Sequence, residues 1–159
     1  MTSPSPSPRA TPADRIADSL ATWFGSGYSP LAPGTAGTLA ALPLYCLLRR
    51  APWSVYAGGW CALLVVGTWA SHRRARRLGR EDPQEIVIDE VAGALLALGF
   101  VRGRGLGIET ATLAVFRLLD IIKPGPIRAA ERARPLGVGI MLDDLLGGLG
   151  AGLLLRWLS

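Results

Sequence analysis

The sequence predicts an all-α fold: a compact multihelical domain of six or seven helices that is membrane-associated and has at least one possible transmembrane helix. Apolar residues recur at helical spacing in segments bounded by Pro, Gly or charged residues, and no segment alternates convincingly as a strand would. Half of the 159 residues are hydrophobic and only 18% are charged, against roughly 25% in soluble domains. This surplus of apolar residues indicates a membrane or an oligomer interface, so a homodimer is one possible state.

The balance of charge bears on the class of partner. The net charge is +5 in a chain whose mean hydropathy is +0.33. A basic hydrophobic protein suits an anionic lipid surface, whereas a nucleic-acid site would place basic residues among exposed aromatic residues on one face. Here the aromatic residues lie mostly within apolar runs. We therefore expect a lipid surface as partner and no nucleic acid.

The beginning of the chain predicts a tail and then the first helix. Residues 1–11 are rich in Pro and Ser and are predicted to be a disordered tail, which leaves 12–159 as a single helical domain. The chain starts without the apolar segment of a signal peptide, so we expect the functional region to lie in the cytoplasm. Thr11 is predicted to cap the first helix, with Pro12 at its first position, and Gly25 to end it.

A loop and two apolar helices follow. Residues 25–38 are rich in Gly, Ser, Thr and Pro and are interpreted as a loop, and a helix is predicted over about 36–48. Residues 51–70 contain no charged residue and meet the length of about 20 residues that spans a bilayer. A helix buried in a dimer core is the competing interpretation of that segment. Cys46 and Cys61 lie in apolar runs and are expected to be reduced and packed in the core.

The second half of the chain is also predicted to be helical. Asp82 is followed by Pro83 and, three residues after the Asp, by Glu85, which is typical of a capped helix start. This pattern predicts a helix over about 83–100. Three more helices are predicted over about 107–123, 127–134 and 139–158.

Two pairs of adjacent acids lie inside apolar runs of these helices. Asp89 and Glu90 form the first pair, and Asp143 and Asp144 form the second. An ionised carboxylate in a low dielectric costs free energy unless a cation or hydrogen bonds compensate it. A hard divalent cation such as Mg²⁺ is the natural compensation for such oxygen ligands. We therefore interpret the two pairs as one two-sided metal site, with a solvated helix face as the alternative.

Chemistry at a phosphate also requires cations and a positioned water or hydroxyl. Arg117, Lys123 and Arg128 could supply the cations around Asp120. Arg117, Asp120 and Lys123 are each three residues apart, however, and this spacing also suits a surface salt-bridge ladder. The loop over 25–38 could supply hydroxyls and N–H groups at a helix N-terminus, although most such loops only connect helices. The candidate hydroxyl residues are Ser26, Ser29, Thr35 and Thr38.

Four segments of the chain carry motifs of a known family and come in that family's order. These segments are residues 24–38, 86–93, 116–128 and 137–148. Together they resemble the phosphatidylglycerophosphatase A family. That family is multihelical, requires magnesium and hydrolyses the terminal phosphate of phosphatidylglycerophosphate. The resemblance implies a metal site made of Asp89, Glu90, Asp143 and Asp144, and phosphate or head-group roles for Arg117, Asp120, Lys123 and Arg128.

The leading hypothesis is therefore a Mg²⁺-dependent lipid phosphatase of phospholipid biosynthesis. Its substrate would be phosphatidylglycerophosphate in the cell inner membrane, with the active site facing the cytoplasm. We favour direct attack by water, with a covalent phosphate on Asp89 or Asp143 as the alternative. The predicted catalytic residues are Asp89, Glu90, Asp120, Asp143 and Asp144.

Three other functions remain open from the residues alone. The first is hydrolysis of a soluble phosphomonoester. The second is phospholipid head-group transfer, although its usual Asp-Gly-x-x-Ala-Arg signature is absent from the sequence. The third is a non-enzymatic metal-binding or ion-conducting membrane protein, which would explain acids in apolar helices but not the Lys-Pro-Gly-Pro-Ile-Arg segment.

Overall fold

The computed structural model describes residues 10–130, 133 and 135–159. The described residues form six helices of eight or more residues, two shorter helices and no strand, which confirms the all-α prediction. Residues 1–9 of the predicted tail lie outside the described part of the chain. The helices are α1 Pro12–Ala21, α2 Pro33–Ala40, α3 Leu42–Leu48, α4 Trp53–Leu78, α5 Ile88–Val101, α6 Leu106–Ile122, α7 Gly125–Ala130 and α8 Leu136–Leu158.

The first helix begins as predicted and ends earlier. The Thr11 hydroxyl accepts a hydrogen bond from the Asp14 N–H, and the Asp14 carboxylate accepts one from the Thr11 N–H at 2.8 Å. Trp23 and Phe24, which the spacing places on the helix, have φ angles of 44° and 56° instead. These left-handed residues turn the chain, so α1 ends at Ala21.

The expected loop over 25–38 contains two helical segments. Residues Ser26–Tyr28 form one 3₁₀ turn, and α2 begins at Pro33, three residues before the predicted start. A break at Ala41 then separates α2 from α3, where Pro43 lies in the first turn. Proline suits a first turn because its missing N–H has no partner there.

The arginine-rich end of α4 binds α1. The helix continues past the apolar segment 51–70 to Leu78, and three of its arginines pair with acids of α1. The ion pairs are Arg73–Asp14 at 2.7 Å, Arg74–Asp18 at 3.0 Å and Arg77–Asp18. The arginines of this cluster are therefore partly engaged in packing α1 on α4.

The candidate membrane span is a different helix from the predicted one. Within the described residues, Leu136–Leu158 is the one helix long and apolar enough to cross a membrane, and 56% of its apolar window is buried. The segment 51–70 was the predicted span, but its Gly, Trp, Tyr and Ser residues reduce its mean hydropathy. The two cysteines also differ from expectation, because Cys46 and Cys61 are exposed rather than packed in the core.

The Asp82–Pro83 pattern does not start a helix. The Ile86 N–H donates to the Pro83 carbonyl, and the Val87 N–H donates to the Ala21 carbonyl at the end of α1, both at 2.9 Å. These bonds hold the segment as a turn docked on α1, so α5 begins at Ile88. The predicted start at 83 was wrong because a tertiary hydrogen bond replaced the local cap.

Helices α5 and α8 pack unusually closely and run in the same direction. A Cβ atom at Gly148 would lie 2.3 Å from the Gly93 carbonyl oxygen, and one at Gly152 would lie 3.0 Å from the Ala97 carbonyl oxygen. Contacts therefore advance along both helices together, and they are possible only because glycine has no side chain. This close parallel packing brings the acid pairs of α5 and α8 to the same level.

Candidate active site

Three carboxylates meet where α5 and α8 pack together. Asp89 and Glu90 lie in the first turn of α5, and Asp144 lies on α8. One oxygen from each of the three lies within 4.8 Å of the others. Because the first turn of a helix has unpaired N–H groups and a positive dipole end, it stabilises negative charge. The helix start therefore suits two of these three acids.

The two acid pairs share a local geometry. The Asp89 Oδ1 atom accepts a hydrogen bond from the Glu90 N–H at 3.0 Å, and the Asp143 Oδ1 atom accepts one from the Asp144 N–H at 3.0 Å. Each Asp side chain is thereby held against its own helix. The two acid pairs thus share this local conformation as well as their position inside apolar runs.

The three carboxylates are buried and incompletely hydrogen-bonded. Asp89 is 7% exposed and Asp144 is 3% exposed. Glu90 Oε2 and Asp144 Oδ1 are buried without a hydrogen-bond partner among the described residues. A buried acceptor without a partner costs free energy unless an ion or water satisfies it. The set of clustered oxygen donors fits a hard divalent cation such as Mg²⁺.

The surroundings of these acids favour their protonated form in the absence of a cation. Burial raises the pKa of Asp89 well above its usual value, and the negative charge of Glu90 adds to the effect. Burial, followed by the charges of Asp144 and Asp120, raises the pKa of Glu90 to about 8, while Arg117 lowers it only in part. A bound divalent cation would reverse this balance and keep the carboxylates ionised.

Two cations, Arg117 on α6 and Lys123 directly after this helix, face the acids, and each has a carboxylate partner. Arg117 Nη1 lies 2.5 Å from Asp120 Oδ2, and Lys123 Nζ lies 2.8 Å from Asp143 Oδ2. Lys123 ends α6 with a φ of 45°, which turns the chain before Pro124. Asp143 therefore contacts Lys123 and is outside the three-acid cluster, and its predicted role as a metal ligand stays a prediction.

These groups line one open cleft of about 280 Å³. The start of α2 forms one wall, because a Cβ atom at Gly34 would lie 2.5 Å from Glu90 Oε1 and 2.8 Å from Arg117 Nη2. Asp82 and Gln84 also line the cleft, and both were missed because the sequence pattern was assigned to a helix cap. The lining residues are Pro33, Gly34, Asp82, Gln84, Ile86, Asp89, Glu90, Arg117, Asp120, Lys123, Asp143 and Asp144.

The four predicted hydroxyl residues are not among the residues that line this cleft. The Thr38 hydroxyl donates to the Gly34 carbonyl at 3.0 Å, and the Ser26 hydroxyl donates to the Thr22 carbonyl at 3.3 Å. Thr35 is exposed and, like Thr38, lines a neighbouring apolar groove. Their roles, and that of Ser29, stay predictions. Arg128 belongs to α7, and its side chain lies outside the described part of the structure.

Comparison with known proteins identifies a family that matches the segments carrying the acids and cations of the cleft. The family model of phosphatidylglycerophosphatase A matches residues 19–159, which is most of the chain. The chain belongs to the phosphatidylglycerophosphatase A family. This membership confirms the resemblance carried by the four motif segments. No solved structure matches the chain.

Three relatives cover most of the chain. Phosphatidylglycerophosphatase A of Escherichia coli (strain K12) is 38% identical over 136 residues, 85% of this chain and 79% of the relative. Phosphatidylglycerophosphatase A of Haemophilus influenzae is 34% identical over 131 residues, 82% and 80% of the two chains. A Bacteroides thetaiotaomicron protein named "Putative phosphatidylinositol-3-phosphatase" is 38% identical over 151 residues, 87% and 92%. This member of the phosphatidylglycerophosphatase A family therefore aligns, over most of its length, with three relatives whose names are those of lipid phosphatases.

The raised pKa of Glu90 predicts how stability depends on pH without metal. The folded state binds the Glu90 proton more tightly than the unfolded state, so the free energy of unfolding should fall as pH rises from about 4.5 to about 8. Glu90→Gln should flatten this slope and stabilise the protein at pH 8 by a few kcal/mol, since one pKa unit is worth about 1.4 kcal/mol. Urea unfolding at several pH values, with a chelator present, measures both effects.

Glu85→Gln is the matched control for that change. Glu85 pairs with Arg74 and Arg80 away from the three-acid cluster, so its neutralisation should not stabilise the protein. Adding Mg²⁺ at pH 8 should stabilise the native protein more than the Glu90→Gln variant. Equal slopes in the two variants would contradict the assignment of the pH dependence to Glu90.

Proposed function

We propose that this protein removes the terminal phosphate of phosphatidylglycerophosphate, giving phosphatidylglycerol and phosphate, with Mg²⁺ as cofactor. Membership of the family supports the reaction. The observation that carries the site assignment is the cluster of Asp89, Glu90 and Asp144 in one cleft with Arg117 and Lys123. Carboxylates beside cations suit a phosphomonoester, because one set binds the metal and the other binds phosphate oxygens.

In this proposal each group has a distinct role. Asp89, Glu90 and Asp144 would hold the Mg²⁺, which when bound supplies Lewis-acid neutralisation of the phosphoryl oxygens. Arg117 and Lys123 bind the remaining phosphate oxygens. The overall reaction forms a bond from a water oxygen to phosphorus, breaks the phosphorus–glycerol oxygen bond and returns a proton to the glycerol oxygen.

Two further acids position these cations. Asp120 holds the guanidinium of Arg117, and Asp143 holds the ammonium of Lys123. A long cationic side chain that is fixed by a carboxylate loses less conformational entropy when it binds a phosphate. We propose that Asp120 and Asp143 act through Arg117 and Lys123.

A second candidate substrate is favoured by one of the relatives. The Bacteroides protein that is 38% identical to this chain carries the name of a phosphatidylinositol-3-phosphatase. Both lipids present a phosphomonoester on a polyol head group, so the same cleft chemistry would suit either. Only the part of the site that contacts the polyol would discriminate between them.

The deciding experiment measures phosphate release by the purified protein with and without Mg²⁺. The substrates are phosphatidylglycerophosphate, phosphatidylinositol 3-phosphate and a soluble glycerophosphate ester. We expect release from phosphatidylglycerophosphate that depends on Mg²⁺. Faster phosphate release from the inositol lipid would identify that lipid as the preferred substrate instead. No release from any of the three would contradict the phosphatase proposal.

Removing the charge of Lys123 should weaken substrate binding more than metal binding. Lys123→Met keeps the length of the side chain but removes the ammonium that we assign to the phosphate. We expect KM for phosphatidylglycerophosphate to rise about tenfold or more, the size of one lost charged hydrogen bond, while the Mg²⁺ concentration for half-maximal activity changes little. Lys123→Arg, which retains the charge, should recover part of the loss. A shift in the Mg²⁺ titration alone would assign Lys123 to the metal site instead.

We propose that the protein associates with the inner membrane and that its cleft faces the cytoplasm. Exposed apolar side chains on α4 and α8 support association, among them Val65 and Trp157, which are 72% and 83% exposed. We expect the protein to remain in the membrane pellet through high-salt and carbonate washes. Release by salt alone would indicate that cationic residues hold it at the surface. A homodimer is the alternative cover for this apolar surface, and a concentration-dependent mass in sedimentation would support it.

A further inference from the structure

An apolar groove of about 400 Å³ lies between the α2–α3 segment and α6. Its walls include Leu39, Leu42, Leu98, Leu106 and Leu113. Leu39 is 56% exposed and Leu106 is 76% exposed. Exposed leucines on the walls of a groove leave apolar area uncovered, which favours an apolar occupant.

The groove adjoins the acid cleft. Arg117 lines both, and Gly34, which forms a cleft wall, lies one residue before the groove residue Thr35. The groove then extends along α6 from Arg117 to Leu106, a distance of about 16 Å at the helical rise of 1.5 Å per residue. In phosphatidylglycerophosphate a glycerol and a phosphodiester separate the terminal phosphate from the acyl chains. A lipid whose terminal phosphate lies in the cleft would therefore place this polar linker beside Arg117 and the first part of an acyl chain farther along the groove.

The far end of the groove is polar. Glu109 Oε1 accepts hydrogen bonds from the Tyr45 hydroxyl at 2.8 Å and from Arg49 Nη2 at 3.2 Å. These residues line the groove at the end opposite Arg117. The groove is therefore mainly apolar between Arg117 at one end and the Glu109–Arg49 ion pair near the other, which suits the first part of one acyl chain.

We propose that this groove binds an acyl chain of the phospholipid substrate while its terminal phosphate occupies the acid cleft. The inference rests on the proposed lipid phosphatase function and adds the part of the site that recognises the lipid. It makes the enzyme prefer acylated substrates over the water-soluble head group alone, since each buried methylene contributes to binding.

A larger apolar groove of the protein does not adjoin the acid cleft. It has a volume of about 720 Å³ and is lined by residues that include Trp53, Trp60, Phe100 and Leu153. None of its lining residues also lines the acid cleft. The larger groove therefore offers no direct path for an acyl chain of a lipid whose terminal phosphate lies at Arg117.

Filling the groove tests the proposal. Ala114 is an exposed residue of α6 that lines the groove, so Ala114→Trp should occupy it without disturbing the buried core. Leu118→Trp is the matched control, because Leu118 is an exposed α6 residue that lines neither the groove nor the cleft. We expect Ala114→Trp to raise KM for long-chain phosphatidylglycerophosphate about tenfold or more, a loss of roughly 1.4 kcal/mol, and to leave KM for its deacylated, water-soluble head group unchanged.

The pattern across substrates separates the two proposals. Equal changes of KM for the acylated and deacylated substrates in Ala114→Trp, or an unchanged KM for both, would overturn the acyl-chain groove while the phosphatase function stands. A native protein that releases phosphate from neither substrate with Mg²⁺ present would overturn the phosphatase function itself.

Photolabelling provides a second test that needs neither turnover nor a folded variant. A phosphatidylglycerophosphate analogue with a diazirine in one acyl chain is bound to the native protein in the presence of a chelator and then irradiated. We expect the label on peptides that contain Leu42, Leu98 or Leu113. Labelling confined to peptides around Trp53 and Trp60 would place the chain in the larger groove and overturn the proposal.

Discussion

Replacing Asp144 with asparagine is expected to lower the rate of phosphate release by about two orders of magnitude or more. Asp144 is 3% exposed and shares the cluster with Asp89 and Glu90. The amide is a weaker ligand for Mg²⁺ and lacks the charge that attracts it, and one such electrostatic contact is typically worth ~3–4 kcal/mol in catalysis. Initial rates at saturating Mg²⁺ measure the effect, and Asp89→Asn should behave in the same way.

The metal itself gives a readout that is independent of turnover. Mg²⁺ should raise the Tm of the native protein and raise it much less in Asp144→Asn, because a ligand stabilises only the state that binds it. Asp18→Asn serves as the control, since Asp18 pairs with Arg74 and Arg77 away from the cleft. Near-normal activity in Asp144→Asn, with an unchanged Mg²⁺ response, would remove Asp144 from the metal site.

Asp143→Asn distinguishes the two acids of α8. Since Asp143 contacts Lys123 at 2.8 Å, its loss should impair substrate binding while the Mg²⁺-dependent rise in Tm persists. Loss of that rise would instead make Asp143 a ligand, as the resemblance implies.

Gly148→Ala is expected to cause a large loss of stability. The added methyl carbon would lie 2.3 Å from the Gly93 carbonyl oxygen, which is backbone and cannot rotate away. The two helices must then separate, and overpacking of this kind costs about 1–3 kcal/mol or more. We expect Tm to fall by roughly 5 °C or more and the residual activity to fall with it, because separation of α5 and α8 moves the acid pairs apart.

Gly150→Ala provides a control two residues away on α8. Its added carbon would lie 3.4 Å from Leu119 Cδ1, an ordinary contact with a flexible side chain. Since alanine favours a helix over glycine by about 1 kcal/mol, this variant should keep or raise Tm. Equal melting of the two variants would show that α5 and α8 do not approach closely at Gly148.

The features that the sequence determined are those encoded by neighbouring residues. The Thr11–Asp14 capping box forms as predicted because both partners lie within three residues of each other. The acids at 89–90 and 143–144 were recognisable because charge within an apolar run is costly wherever the chain folds. The all-α class followed from the same local periodicity, and the family motifs identified the chemistry.

Other features depend on residues far apart in the chain. The pattern at Asp82 predicted a helix start, but the hydrogen bond from Val87 to Ala21 overrode it and placed Asp82 in the cleft. Likewise, nothing local distinguishes Asp143 from Asp144, yet only one of them joins the three-acid cluster, while the other contacts Lys123. Side chains one residue apart point about 100° apart on a helix, so the partner across the interface decides which one enters the cluster.

The tertiary structure also decided which apolar residues face outwards. Cys46 and Cys61 lie in apolar runs and are exposed, because the composition of a run does not say which of its sides another helix covers. The groove beside Arg117 has the same origin: its leucines come from α2, α3, α5 and α6, and only the packing of those helices leaves a channel between them. The sequence determined which residues are candidates for binding a metal and a phosphate. The close packing of Gly93 against Gly148 brought the acids of α5 and α8 together, and a contact between the backbones of two helices cannot be inferred from the sequence of either one.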